Sequence, residues 1–90
     1  MRNDTRNLER IVKGFANRHR LAILELLLKK PERSVEEIAD TLKLEYNNAS
    51  DHIRKLAIAG LLLKRYQSIE VRHRLTERGE AVLAFCRSLV

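Results

Sequence analysis

The side chains best suited to binding chemistry lie between residues 45 and 60. One buried helix face is predicted there by apolar residues at helical spacing: Ala49, Ile53, Leu56 and Ala57. The opposite face carries short hydrogen-bonding and charged groups: Tyr46, Asn47, Asn48, Ser50, Asp51, Arg54 and Lys55. Asparagine can bond the edge of adenine, whereas arginine and lysine can bond guanine or phosphate. Because asparagine and serine are poor helix formers, this composition favours a nucleic-acid-binding face over an ordinary solvated one.

The predicted helix spans residues 46–59, because Gly60 can adopt the left-handed conformation that ends many helices. A surface helix without any ligand would also have one apolar and one polar face, so this stretch alone leaves both interpretations open. Asp51 is an acidic residue within the polar face. It could accept a hydrogen bond from cytosine or pair with Lys55, four residues further on.

Residue types that perform catalysis or bind metals are sparse. His19, His52 and His73 are predicted to lie far apart on different elements, whereas zinc needs three or four converging ligands. No Ser-His-Asp or Cys-His set has a signature spacing, and the three glycines form no phosphate-binding loop. We therefore predict a protein that is not an enzyme and has neither a metal site nor a cofactor. His52 could contact a phosphate or have a purely structural role.

The single cysteine, Cys86, excludes an internal disulfide. One thiol fits a reducing cytoplasm, and the sequence shows neither a secretion signal nor an apolar run long enough to span a membrane. We expect a cytoplasmic protein in which Cys86 is an inert core thiol. A redox-sensing thiol is the alternative.

The net charge of +6 is unevenly distributed along the 90 residues. Residues 32–51 hold six acidic and two basic side chains, so the remainder, chiefly residues 2–20 and 54–78, is strongly basic. Such a chain suits a polyanionic partner. A thermostable protein with many surface ion pairs would have a similar composition.

Hydrophobic periodicity predicts a mainly α-helical fold with about five helices. The first helix has apolar residues at 8, 11, 12 and 15, and the second runs over residues 18–29. Ser34 and Glu37 form a capping box that opens a third helix, and residues 43–45 form the turn into the helix at 46–59. The last helix covers about residues 77–89, with an apolar stripe: Ala81, Val82, Phe85 and Leu89.

Between Gly60 and the last helix the period changes to two, which predicts a β-hairpin over residues 61–75 with its turn at Gln67 and Ser68. One face of its second strand would hold Ile69, Val71, His73 and Leu75. The hairpin is rich in cations: Lys64, Arg65, Arg72 and Arg74. Such an arm can lie along phosphates or enter the minor groove of DNA.

The chain is predicted to form one domain, residues 1–90. A domain of this size has a small core, and association with a second copy would add burial. We expect a homodimer that pairs through the apolar faces of the first and last helices, residues 8–15 and 77–89.

The order of these elements, and several segments, resemble the winged helix-turn-helix regulators of the arsenical-resistance (ArsR-like) type. The resemblance covers residues 8–89 and is carried by the following segments: Phe15-Ala16-Asn17-Arg18-His19-Arg20-Leu21, Ser34-Val35-Glu36-Glu37-Ile38-Ala39, Ser50-Asp51-His52-Ile53 and Ala59-Gly60-Leu61-Leu62. The step Leu75-Thr76-Glu77-Arg78-Gly79 is more similar to the multiple-antibiotic-resistance (MarR-like) branch. Residues 33–38 lack the Cys-x-Cys pattern of metal-sensing members, so the resemblance does not imply metal sensing.

The resemblance implies a dimeric regulator that binds double-stranded DNA, with the helix at 46–59 in the major groove and the wing at 61–75 on the backbone or in the minor groove. Bases would be approached by Tyr46, Asn47, Asn48, Ser50 and Arg54. Phosphates would be neutralised by Lys55, Lys64, Arg65, Arg72 and Arg74. The alternative is a winged-helix module for protein assembly that docks through the acidic stretch at 32–51.

Overall fold

The computed structural model describes residues 4–90 as five helices and one antiparallel hairpin. In chain order the elements are α1 Thr5–Phe15, α2 Arg18–Lys29, α3 Val35–Leu42, α4 Tyr46–Ile58, β1 Leu62–Gln67, β2 Glu70–Leu75 and α5 Glu77–Ser88. This architecture confirms the predicted fold class, mainly α with a two-stranded wing. None of the helices within residues 4–90 combines the length and the hydropathy needed to cross a membrane.

Side-chain caps define where several helices begin. The Asn17 side chain accepts hydrogen bonds from the amides of His19 and Arg20, at 2.9 and 3.2 Å, and opens α2. The predicted capping box opens α3: Ser34 Oγ accepts from the Glu37 amide at 3.1 Å, while Glu37 Oε1 accepts from the Ser34 amide at 2.9 Å. These bonds satisfy backbone donors that no preceding helical turn can pair.

The turn between α3 and α4 depends on one residue in the left-handed conformation. Lys43 has φ 57° and ends α3, and the amide of Leu44 then bonds the carbonyl oxygen of Ala39 at 2.9 Å. Glu45 begins α4 by accepting a hydrogen bond from the Asn48 amide at 3.0 Å. At the other end of α4, Gly60 has φ 80°, as the sequence predicted.

The core is formed where α2, α3 and α4 meet the base of the hairpin and one face of α5. Its buried hydrophobic residues are Ile23, Leu24, Leu27, Ile38, Ile53, Leu56, Ala59, Leu61, Leu62, Leu75 and Leu83. The helix α5 packs on the core through Leu83, which the predicted stripe left out, and through the partly buried Val82, which the stripe included. Phe85 and Leu89 of the predicted stripe are 60% and 66% exposed, so the C-terminal part of the stripe lies outside the core of the single chain.

The hairpin pairs Leu62 with Leu75 at its base and Gln67 with Glu70 at its tip. Its two-residue loop is therefore Ser68 and Ile69, one residue later than the predicted turn, and Ser68 has φ 59°. The prediction that Ile69 shares the inner face of the second strand is wrong, because Ile69 lies in the loop and is 97% exposed. With a positive φ at its first residue, a two-residue loop has a backbone twist that matches the right-handed twist of the two strands it joins.

An isolated β-bridge between Arg33 and His73 connects the hairpin to the helical part. The amide of His73 bonds the carbonyl oxygen of Arg33 at 2.9 Å, and the amide of Glu32 bonds the carbonyl oxygen of His73 at 2.9 Å. This antiparallel bridge pairs the outer edge of β2 with the segment that precedes α3. The wing is therefore attached directly to the start of the helix-turn-helix.

Alanine in place of Gly79, near the start of α5, is expected to destabilise the protein. A Cβ atom there would overlap the carbonyl oxygen of Leu61, which is already held by the Thr76 amide at 3.1 Å. We predict that Gly79→Ala lowers the free energy of unfolding by about 3 kcal/mol, since the backbone of the wing's first residues must move. Urea denaturation measures this, with Glu80→Ala on the exposed side of the same helix as the control. Equal stability of the two variants would contradict the prediction.

Candidate nucleic-acid interface

The helix α4 separates two chemically distinct faces. Ala49, Ile53 and Leu56 are almost completely buried in the core. Asn47 and Asn48 are exposed on the other side, and the neighbouring Tyr46 side chain is 54% exposed. The predicted binding face is therefore accessible, because burial of the apolar stripe fixes the rotation of the helix about its axis.

The two asparagine amides lie at the N-terminal end of α4 and are open to a ligand. No hydrogen bond from either side-chain amide to another residue is found within residues 4–90; the Asn48 contact to Glu45 uses its backbone amide. Ser50 is half-buried behind them. An exposed amide that presents both a donor and an acceptor can bond the adenine edge through two hydrogen bonds.

Asp51 occupies the next turn of the same face and holds two cations. Its Oδ1 atom accepts a hydrogen bond from Arg54 Nη2 at 2.6 Å, and its Oδ2 atom lies 3.0 Å from Lys55 Nζ. The hydrogen bonds from Lys55 and Arg54 lower the pKa of Asp51 to about 2. The carboxylate therefore stays charged at every physiological pH, and the two predicted cationic contacts of α4 are partly neutralised by it.

Two wing cations share one carboxylate. Arg65 Nε donates to Glu32 Oε1 at 2.9 Å, and Arg74 Nη1 lies 4.0 Å from Glu32 Oε2. Lys64, also exposed on β1, forms no ion pair with the part of the chain that the structure describes. Because one anion faces two guanidinium groups, this side of the wing retains a net positive charge.

Arg72 is placed differently from the other wing cations. Its side chain is only 24% exposed, and Nη2 donates to Glu70 Oε2 at 2.6 Å. Nη1 donates to Glu37 Oε1 at 3.1 Å and to the Glu32 carbonyl oxygen at 3.0 Å. The hydrogen bond to Glu70 is the main reason that the pKa of Arg72 is raised. This guanidinium joins the wing to the start of α3.

Sequence reasoning missed these connections. Glu32 and Glu37 precede Arg65 and Arg72 by more than thirty residues, so no local pattern links them. The available signal was the acidic composition of residues 32–51 beside a basic hairpin. In the structure, two of those acids face the wing.

A second connection missed from the sequence joins α1, α2 and α4. Arg20 donates from Nη1 to the carbonyl oxygens of Lys13 and Gly14, at 3.3 and 3.1 Å, and from Nε to His52 Nδ1 at 3.2 Å. The His19 and His52 rings lie 5.6 Å apart between centroids. The prediction that the three histidines lie far apart is therefore wrong for this pair. His52 Nδ1 is used in this structural contact.

His73 is a buried residue of β2, and its Nδ1 atom lies 2.9 Å from the Arg33 carbonyl oxygen. That carbonyl can only accept, so Nδ1 carries the proton. Burial lowers the pKa of His73, and the Arg33 carbonyl offsets part of this effect. Burial also lowers the pKa of His52, and the charge of Arg20 adds to the decrease.

The described residues hold neither a metal-binding cluster nor a cysteine in the core. Among residues 4–90, no group of three or more His, Cys, Asp or Glu side chains converges as metal ligands would. Cys86 is a free thiol on α5. It is half-buried and does not belong to the hydrophobic core, where it was expected.

Comparison with known proteins identifies the family. Residues 15–65, more than half of the chain, match a family model described as a helix-turn-helix domain. No curated protein matches the chain. A homodimeric winged helix-turn-helix DNA-binding domain from Mycobacterium bovis, described as a possible ArsR-family transcriptional regulator, is 30% identical, with 92% of this chain and 77% of that chain covered and a TM-score of 0.83.

Two further solved structures are similar over almost the whole chain. The transcriptional regulator HlyU from Vibrio vulnificus is 30% identical, with 99% of this chain and 93% of that chain covered and a TM-score of 0.77. HlyU from Vibrio cholerae is 29% identical, with 99% and 97% covered and a TM-score of 0.83. The chain belongs to the helix-turn-helix domain family and, within it, to the ArsR-like winged-helix transcriptional regulators, which confirms the predicted resemblance.

The two histidines with lowered pKa values predict a pH-dependent stability. The folded state favours neutral His52 and His73, whereas in the unfolded chain each protonates near its ordinary pKa of 6.5. Stability is therefore complete above that pH and decreases as the pH falls through it. We expect urea denaturation to give a lower free energy of unfolding at pH 5.5 than at pH 7.5.

The carboxylates with lowered pKa values, Asp51 and Glu37, lose their contribution only below about pH 4.5, outside this window. The variant His73→Gln should reduce the difference between the two pH values. Identical stability of the wild-type protein at pH 5.5 and 7.5 would disprove the assignment.

Proposed function

We propose that this ArsR-like chain is a sequence-specific DNA-binding transcriptional regulator that acts as a homodimer. In this proposal residues 1–90 form one DNA-binding domain. The N-terminal end of α4 enters the major groove of double-stranded DNA, and the wing lies along the backbone or in the minor groove. Relatives at about 30% identity support it, since one is a homodimeric DNA-binding domain.

The observation that carries the proposal is the outward face of α4. Asn47 and Asn48 are exposed, and their side-chain amides form no hydrogen bond within the described residues. Any other rotation of this helix would bury polar groups or expose apolar ones. Helix-turn-helix proteins place the N-terminal residues of this helix against base edges. The candidate base contacts are Tyr46, Asn47, Asn48 and Ser50, whereas the expected contact Arg54 is paired with Asp51, which also binds Lys55.

The wing contributes to DNA binding in two ways under this proposal. Lys64, Arg65 and Arg74 neutralise phosphates, since Lys64 forms no ion pair within the described residues and Arg65 and Arg74 share the single carboxylate of Glu32. Arg72 acts as a positioning residue, because its guanidinium is engaged by Glu70 and Glu37 and by the Glu32 carbonyl. It sets the angle between wing and helix-turn-helix, and so the register of the two elements on the duplex.

The proposed homodimer uses the faces that the core leaves uncovered. On α1, Leu8 and Val12 are exposed, and no residue of this helix is buried. On α5, Phe85 and Leu89 form a second exposed apolar surface. A second copy would cover both surfaces, and a two-fold axis would place two α4 helices on half-sites about one helical turn of DNA apart.

The alternative function, a module for protein assembly, is less well supported. It requires the acidic residues of 32–51 as a docking face. Four of the six have intramolecular roles: Glu32 and Glu37 bind the wing, Glu45 caps α4, and Asp51 binds its helical neighbours. Only Glu36 and Asp40 are without such a contact in the described residues, which leaves a small acidic surface.

Salt dependence tests the DNA-binding proposal and the two wing roles together. The affinity for a duplex should fall steeply with salt, because bound phosphates release counterions. Lys64→Ala should reduce the slope of log K against log salt by about 1 and leave the melting temperature unchanged. Arg72→Ala should lower the melting temperature and weaken binding without flattening the slope by itself.

Fluorescence anisotropy at several salt concentrations measures these slopes, and circular dichroism measures the melting temperatures. Absence of duplex binding at low salt would reject the function in favour of protein assembly. A slope changed by Arg72→Ala but not by Lys64→Ala would reverse the two roles.

The homodimer prediction is tested by a charge on the α5 face. Phe85→Asp should convert the protein into a monomer, since a buried unpaired carboxylate at the interface is strongly unfavourable. The control is Ile69→Asp, which introduces the same side chain at an exposed apolar position in the wing loop. Sedimentation velocity should show a dimer for the control and a monomer for Phe85→Asp. A dimeric Phe85→Asp variant would place the interface elsewhere.

A further inference from the structure

The polar face of α4 is not uniformly available to DNA. At the first turn, the Asn47 and Asn48 amides are exposed and unoccupied within the described chain. At the second and third turns, Asp51 forms ion pairs with both Arg54 and Lys55. The helix therefore presents side-chain amides at the end that would enter the groove. Behind them it carries a cluster of charged side chains that are paired with one another.

Helical spacing places this cluster directly in line with the amides. Asp51 follows Asn47 by four residues and Asn48 by three, so all three share one side of the helix. Arg54 and Lys55 follow Asp51 by three and four residues and reach back to the two oxygens of its carboxylate. Each cation thus has a partner within its own helix before any DNA is bound.

The chemistry of the cluster discriminates between bases. Guanine presents two acceptors in the major groove, N7 and O6, and is bound most often by arginine or lysine. An ionised carboxylate can only accept, so Asp51 would repel both of these atoms and the phosphates as well. Adenine presents one acceptor and one donor, which the asparagine amide matches.

We infer that Asp51 is a specificity-determining residue: by holding Arg54 and Lys55 on the helix, it withholds them from guanine and leaves selection of the half-site to the adenine-binding amides of Asn47 and Asn48. The preferred duplex would have adenine-thymine pairs at the centre of each half-site. This inference rests on the proposed function and specifies its DNA ligand.

The test is enrichment of bound duplexes from a random library, followed by affinity measurements on the selected sites. The wild-type protein should enrich adenine at the positions of the two amides. Asp51→Ala should release Arg54 and Lys55 and reduce the preference for adenine over guanine at the adjoining position by about tenfold. The triple variant Asp51→Ala, Arg54→Ala, Lys55→Ala should restore the wild-type preference, because both released cations are then absent.

A matched control separates this effect from a simple change of charge. Asp40→Ala removes one negative charge from an exposed residue of α3 that forms no ion pair within residues 4–90, and it should leave the base preference unchanged. Circular dichroism checks that each variant is folded, as expected for substitutions at accessible side chains.

The other outcomes overturn the inference in distinguishable ways. A wild-type protein that enriches no sequence would overturn both the inference and the proposed sequence-specific function. A guanine-centred motif, or an adenine motif that Asp51→Ala leaves unaltered, would overturn the inference alone. So would a cytosine that is selected by the wild type and lost in Asp51→Ala, since Asp51 would then contact the base directly.

Discussion

Burial of the inner face of α4 is the constraint on which the rest of the structure depends. Ala49, Ile53 and Leu56 are held in the core by α2, α3 and the base of the wing, so the helix cannot rotate without exposing them. Each buried large aliphatic side chain contributes roughly 1.5–3 kcal/mol. The same packing therefore determines which polar residues face outward. The composition of that outward face determines which ligand it could bind.

Carboxylates near the start of the helix-turn-helix hold the wing in place. Glu32 accepts from Arg65, and Glu37 Oε1 accepts both from Arg72 and from the Ser34 backbone amide at the start of α3. The bridge between Arg33 and His73 adds backbone hydrogen bonds at the same junction. Acidic residues in a basic protein thus join the two elements that would contact DNA, and they reduce the number of cations available for phosphates.

Arg20 forms the corresponding junction on the opposite side of α4. Its guanidinium bonds the last carbonyl oxygens of α1 and the ring of His52, so α1 and α4 are joined through one side chain of α2. A cation is favourable at the C-terminal end of a helix, where unpaired carbonyl oxygens carry partial negative charge. The helix α1, which has an uncovered apolar face, is therefore connected directly to the helix with the amide face.

The sequence by itself determined the elements, the two faces of α4 and the wing, because hydrophobic period, the Ser34 capping box and Gly60 act over a few residues. It did not determine the hairpin loop at Ser68 and Ile69, since neither residue specifies a turn strongly. Only the tertiary structure decided which charges remain available: Arg72 is engaged by Glu37, thirty-five residues earlier, and His52 by Arg20. The physical reason is that ion pairs between distant residues follow from packing, whereas caps and periodicity are written locally in the chain.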